Sequence, residues 1–175
     1  MMIELILGGA RSGKSRHATQ RAAAGALPVT LIATAEGFDA EMRTRIARHR
    51  AERDPSWKTV EAPHDLPQQL IVHARAGQCV IVDCLTLWLS NRLLASAPEH
   101  GDAAGEAAAA ELLAALKRCG GRVILVSNEV GLGLVPDTAL GRAFRDAQGR
   151  LNQAAAAMAQ RVVFIAAGLP LVLKG

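Results

Sequence analysis

Ile3-Glu4-Leu5-Ile6-Leu7, followed by Gly8-Gly9-Ala10-Arg11-Ser12-Gly13-Lys14-Ser15, is the stretch whose reading decides the fold. The second part matches G-x-x-x-x-G-K-[ST], and it stands where that pattern has to stand, after an apolar strand and at the opening of a helical segment, Lys14 to Ala24. Each residue type has its own task. Glycines let successive backbone N–H groups turn inward on phosphate oxygens, the helix N-terminus adds partial positive charge, Lys14 reaches the β- and γ-phosphates, and Ser15 ligates Mg2+. Gly8, Gly9, Ala10, Arg11, Ser12, Gly13, Lys14 and Ser15 are therefore expected to hold the phosphates of a nucleoside triphosphate, with Lys14 taking part in the chemistry.

Working outward, further short apolar runs without polar alternation occur at Val29 to Ala33, Cys79 to Val82, Val123 to Val126 and Val162 to Ala166. Strands buried on both faces read this way. Segments of helical character lie between them: Ala40 to Glu52, Leu66 to Ala74, Leu85 to Leu94, Ala103 to Arg118 and Thr138 to Ala159. Strand and helix alternate, which predicts an α/β fold with a mostly parallel central sheet covered by helices on both faces. Asp65 with Gln68 three positions on predicts a capping box, and Gly120 and Gly121 mark the end of the helix that closes near Arg118. Ala95 to Gly105 reads either as a loop or as the frayed start of the Ala-rich helix. No linker or internal repeat divides the 175 residues, so 1–175 is expected to be a single domain.

Composition narrows the function class. The net charge is +4, but the basic residues are dispersed and stacking platforms are scarce, with no Tyr and three Phe, which argues for an anionic small molecule over nucleic acid. No apolar run reaches the roughly 20 residues of a membrane span. The N-terminal apolar stretch contains Glu4, follows no basic region and is too short for a secretory h-region, so a cytoplasmic enzyme is expected. Cys79, Cys84 and Cys119 form no CxxC pair and no zinc-finger spacing, which predicts buried, reduced thiols.

Two more features carry chemistry. The third apolar strand ends in Asp83, at the carboxyl edge of the sheet where the phosphate loop should lie, and this reads as a second Mg2+ or substrate contact beside Ser15. The alternative is a cap for the next helix. The segment Glu41 to Arg53 carries Arg43, Arg45, Arg48, His49, Arg50 and Arg53, and helical spacing puts Arg45 and Arg53 on the face of His49. Guanidinium groups there suit phosphate oxygens arriving beside a nucleophilic imidazole. The same residues also describe a solvated basic helix. His17, His64, His73 and His100 have no comparable setting.

Taken together, Gly8 to Ser15, Arg45-Ile46-Ala47-Arg48-His49-Arg50 with Trp57 downstream, Asp83-Cys84-Leu85-Thr86 and Ser127-Asn128-Glu129-Val130-Gly131-Leu132-Gly133 closely resemble the bifunctional adenosylcobinamide kinase/adenosylcobinamide-phosphate guanylyltransferase family. Gly141 to Asp146 and Leu151-Asn152-Gln153 extend the resemblance over nearly the whole chain, from Ile3 to Lys174. It implies a P-loop NTPase (RecA-like) fold and two reactions. The first phosphorylates adenosylcobinamide with ATP or GTP. The second transfers GMP from GTP to that phosphate, giving adenosylcobinamide-GDP in cobalamin biosynthesis.

The resemblance also implies roles for particular residues. His49 matches the histidine that carries the guanylyl group, and here Arg48 stands where some relatives have a second histidine. Ala33, Thr34, Ala35, Arg50, Ala51, Glu52, Arg53, Glu61 and Asp83 match nucleotide contacts, although Glu61 is also readable as a surface carboxylate at the end of a short strand before Pro63. A homotrimer is implied as well, with a corrinoid as the small-molecule partner. Arg142, Arg145, Asp146, Arg150 and Gln153 share one helix face that meets the corrinoid, another subunit or solvent. Two rivals are open at this point, a P-loop kinase of another metabolite and a GTP-binding switch protein, the second lacking an N-K-x-D guanine-reading motif.

Overall fold

The computed structural model describes residues 1–51, 53–96 and 101–175; Glu52 and His100 lie outside the described residues, as do the side chains of Arg45 and Asp102. Seven strands form one sheet in the order β3-β2-β4-β5-β1-β6-β7. They are β1 (Met2–Gly8), β2 (Val29–Ala33), β3 (Lys58–Glu61), β4 (Cys79–Asp83), β5 (Arg122–Asn128), β6 (Arg161–Ala166) and β7 (Leu169–Lys174). All neighbours run parallel except β6 and β7, which pair antiparallel. The helices are α1 (Lys14–Ala23), α2 (Ala40–Ala51), α3 (Leu66–His73), α4 (Leu85–Leu94), α5 (Gly101–Arg118) and α6 (Ala139–Met158).

Residues of one strand alternate between two cores. Ile3, Leu5, Val123 and Leu125 face Leu66 and Leu70 of α3, Trp88 and Leu89 of α4, Leu112 and Leu116 of α5, and Leu151 of α6. Ile6, Ile124, Val126, Cys79 and Ile81 face Ala18 and Ala22 of α1 on the other side. Both faces are buried, which is why these strands read as nearly continuous apolar runs.

One strand went unread in the sequence and one expectation needs correcting. The strand expected at Val162 to Ala166 is β6, and after it Ala167 and Gly168 take positive φ values of 51 and 81 and reverse the chain into the unexpected β7. In β7 every residue is exposed, so no burial pattern announced it. The capping box at Asp65 does not form: Asp65 is the N-cap of α3 without a side-chain cap bond, and its carboxylate accepts from Gln69 Nε2 at 2.8 Å. The three cysteines are free and buried, as expected.

Because β1 to β6 run parallel, the segments that follow β1, β2, β3, β4 and β5 all emerge at the same carboxyl edge, which is where ligands of open α/β sheets bind. The phosphate loop after β1, Thr34 and Ala35 after β2, Glu61 at the end of β3 and Asp83 at the end of β4 share this edge.

Candidate active site

The phosphate loop after β1 is tightly built. A Cβ on Gly8 would lie 2.5 Å from Ser12 Oγ and 2.7 Å from the Ile165 carbonyl oxygen, so only glycine fits there. Gly13, with φ 97, turns the chain into α1, and its carbonyl accepts from the His17 amide at 2.9 Å. Arg11, at the exposed tip beside Ala10, also takes a positive φ, 56. The Ser12 amide donates to the Gly9 carbonyl at 3.3 Å, and the Gly168 amide donates to the Ser12 carbonyl at 2.9 Å, so the β6–β7 turn braces the loop from behind. Lys14 is buried, and its Nζ donates to the Gly9 carbonyl at 2.9 Å, which folds the ammonium back over the loop.

Ser15 Oγ donates to Asp83 Oδ1 at 3.4 Å. Two hard oxygens thus stand together at the mouth of the loop, a donor set of the kind that Mg2+ completes with water and substrate phosphates. Asp83 does not cap the next helix, since the N-cap of α4 is Cys84.

The end of β2 is stitched to that of β4. The Thr34 amide donates to the Asp83 carbonyl at 3.2 Å, while Thr34 Oγ1 donates to the Cys84 carbonyl at 2.7 Å and accepts from the Cys84 amide at 2.9 Å. Asn91 Nδ2 closes the joint by donating to the Thr34 carbonyl at 2.9 Å. Thr34 is wholly buried with its hydroxyl occupied on both sides, so Ala33-Thr34-Ala35 offers a nucleotide the surface around half-buried Ala35 and not the Thr34 side chain. Burial pushes the neighbouring Cys84 thiol up to about 11, and the negative charge of Asp83 adds to the effect.

The helix carrying His49 is held differently. None of the described side chains of α2 is buried, but Met42, Ile46 and His49 are half-buried at helical spacing, and Arg53 continues the line beyond the helix. His49 therefore sits on the inward stripe of an otherwise solvated helix. Directly after it, Arg50, Ala51, Arg53, Trp57 and Glu61 line a cleft of about 600 Å³. Glu61 is ion-paired with Arg50 across this cleft. Burial draws the Arg53 guanidinium below its ordinary range; Asp83 opposes this and Arg50 adds to it. Arg53 thus feels the negative charge of Asp83 as well as the positive charge of Arg50.

Among the other histidines, His64 Nε2 stands 3.4 Å from Glu36 Oε1, and burial lowers His17 and His73. Arg142 Nη1 donates to the Pro136 and Asp137 carbonyls at 3.0 and 2.9 Å, so it fastens the start of α6.

Sequence reasoning missed a buried polar group beneath the site. Ser127 Oγ donates to Asn152 Oδ1 at 2.7 Å and accepts from Gln148 Nε2 at 3.0 Å, and it lies 3.4 Å from Thr86 Oγ1. Its signal was a Ser-Asn pair closing an apolar strand. The two amides lie four apart on α6 and face inward, one residue off the Arg142 to Gln153 face.

Comparisons with known proteins identify the family. The family described as cobinamide kinase / cobinamide phosphate guanyltransferase matches residues 4–173. The bifunctional adenosylcobalamin biosynthesis protein CobP of Pseudomonas aeruginosa is 52% identical over 174 residues, covering 99% of this chain and 98% of that protein. The bifunctional adenosylcobalamin biosynthesis proteins named CobU from Salmonella typhimurium and Escherichia coli are 38% and 39% identical, each over 99% of this chain and the whole of their own length.

Proposed function

This chain belongs to the cobinamide kinase / cobinamide phosphate guanyltransferase family, and on that premise we propose that one sheet edge serves both of its half-reactions, with the loop at Lys14 as phosphate cradle and His49 as nucleophile. It is a nucleotide-using transferase of adenosylcobalamin biosynthesis, a kinase and a guanylyltransferase in one chain. The rival readings, a kinase of another metabolite and a switch protein, are set aside. The observation that carries the site reading is the pairing of Ser15 with Asp83 at the mouth of the loop, supported by the cleft that Arg50 and Arg53 line directly after His49.

In the kinase half, the loop amides of Gly8 to Ser15 and the Lys14 ammonium hold the triphosphate of ATP or GTP and neutralise charge as it develops on the transferred group. Ser15 and Asp83 would hold Mg2+, which supplies further neutralisation of the phosphates when bound. In the transferase half, His49 attacks the α-phosphorus of GTP. A P–N bond forms as the P–O bond to pyrophosphate breaks. A phosphate oxygen of the cobinamide phosphate then attacks the same phosphorus, the P–N bond breaks, and adenosylcobinamide-GDP leaves with the imidazole restored.

Arg50 and Arg53 face the incoming phosphates, and Ala51 and Glu61 line the nucleoside side of the cleft. Residues 1–175 work as a single domain in this reading. A cytoplasmic homotrimer is its assembly, which accords with the exposed leucines 169, 171 and 173 of β7.

The test follows the corrinoid. Wild-type protein given adenosylcobinamide, Mg2+ and GTP forms the GDP-linked product, whereas His49→Ala stops at the corrinoid phosphate. A His49→Ala protein that makes the GDP-linked product at the wild-type rate contradicts the assignment.

A further inference from the structure

Asn128, the last residue of β5, has a buried side-chain Oδ1 with no hydrogen-bond partner among the described residues. A buried acceptor left unpaired is rare and costly, and it calls for a reason. The main chain of Asn128 is by contrast fully engaged. Its amide donates to Thr86 Oγ1 at 2.7 Å, and its carbonyl accepts from Asn152 Nδ2 at 3.0 Å. α4 and α6 therefore clamp the residue from one face while its side chain is left for something other than the fold.

Strand alternation says where that side chain lies. Val123 and Leu125 belong to the core under α3 to α6, and Ser127 continues their row. Ile124 and Val126 belong to the core under α1, and Asn128 continues that row on the phosphate-loop face. Gly8 and Asn128 are register partners, and Ser12 Oγ occupies the place a Gly8 side chain would take. On the other flank, Asp83 shares this face with Cys79 and Ile81, and its register partner is Val126. Asn128 thus stands on the floor between the phosphate loop and the Ser15–Asp83 pair.

What an unpaired acceptor needs is a donor. Phosphate oxygens only accept, whereas the hydroxyl that is phosphorylated is a donor and must reach the γ-phosphorus at this edge. We infer that Asn128 Oδ1 receives the hydrogen bond of the acceptor hydroxyl in the kinase half-reaction and orients its oxygen for in-line attack. This rests on the kinase reading given above. The hydroxyl oxygen bonds to the γ-phosphorus as the bond from that phosphorus to the nucleoside diphosphate breaks. A carboxamide takes up no proton, so the hydroxyl proton leaves on an oxygen of the transferred phosphoryl group.

The two activities of one chain provide the control. Asn128→Ala lowers kcat for corrinoid phosphorylation by roughly 10- to 100-fold, with KM for the nucleotide and the melting temperature unchanged. Transfer of label from GTP, labelled at the α-phosphate, to the enzyme keeps its wild-type rate, because that step uses no acceptor hydroxyl. Asn128→Asp retains an acceptor oxygen and recovers part of the kinase rate. The inference is overturned by an unchanged kinase kcat in Asn128→Ala, by enzyme labelling that falls in step with it, or by a lowered melting temperature. An Asn128→Asp protein no better than Asn128→Ala also overturns it, since that marks an amide donating to phosphate. Wild-type protein that does not phosphorylate the corrinoid at all would instead remove the kinase reading beneath it.

Discussion

α1 and α2 follow neighbouring segments of the same chain, yet the structure holds them in opposite ways. α1 starts from the phosphate loop and buries Ala18 and Ala22 in the core, with Lys14 itself buried at its first turn. α2 buries none of its described side chains and keeps only a half-buried stripe through Met42, Ile46 and His49. The difference separates two kinds of work. A phosphate cradle gains from donors fixed in advance, because no reorganisation is needed when charge develops. In the proposed mechanism, the nucleophile must approach one phosphorus and then yield it to a second substrate, and the proposed His49 sits on an element with little packing to lose.

The contrast predicts effects of graded size. Lys14→Ala should lower both half-reactions on the order of 10³-fold, the scale of losing a fixed electrostatic contact to the transition state. Steady-state phosphorylation and enzyme labelling check it, and a loss confined to one half would mean that the halves do not share the cradle.

Packing should follow the same divide. Trp88, fully buried in α4 with its Nε1 donating to the His64 carbonyl at 3.1 Å, should cost about 3–5 kcal/mol as Trp88→Ala. Met42→Ala on α2 should cost less than about 1 kcal/mol. Urea melts of the two variants compare them directly, and equal losses would mean that α2 is as well packed as the core.

A smaller effect belongs to the buried floor alone. The Cys84 thiol, pushed up to about 11 by burial and by Asp83, is kept neutral by the fold. Its contribution to stability is whole below its ordinary value of 9.0 and is lost as pH rises through about 11, so the urea midpoint should fall across that window. Cys84→Ala should flatten the fall. The smallest effect concerns local opening without global unfolding: α2 amides should exchange with deuterium earlier than those of α1 in the same protein. Equal protection would remove the distinction between the two helices.

The sequence made the cradle legible for the same reason that the structure makes it rigid. Glycines at Gly8 and Gly13 have no substitute at a close approach and a positive φ, and strands buried on both faces spell uninterrupted apolar runs. β7 was hidden because it buries nothing, so no doubly buried apolar run marked it after Gly168. The stripe on α2 was visible in outline, since the spacing of His49 and Arg53 is helical, but its inward side is set by Met42 and Ile46, which charge counting passes over. Asn128 was quoted only as part of a longer block. Its place on the loop face depends on the parity of β5 and on partners in α4 and α6, and no local pattern records such long-range contacts.

The central claim is that the phosphate cradle and the α2 imidazole serve one enzyme through a covalent nucleotide. The most direct measurement incubates the protein with Mg2+ and GTP labelled at the α-phosphate, denatures it, and maps the label beside His49→Ala. Acid-labile, base-stable label on the peptide containing His49, absent from the variant, is the predicted result. Label that persists in His49→Ala, or wild-type protein that turns GTP and cobinamide phosphate into product without ever becoming labelled, would contradict it.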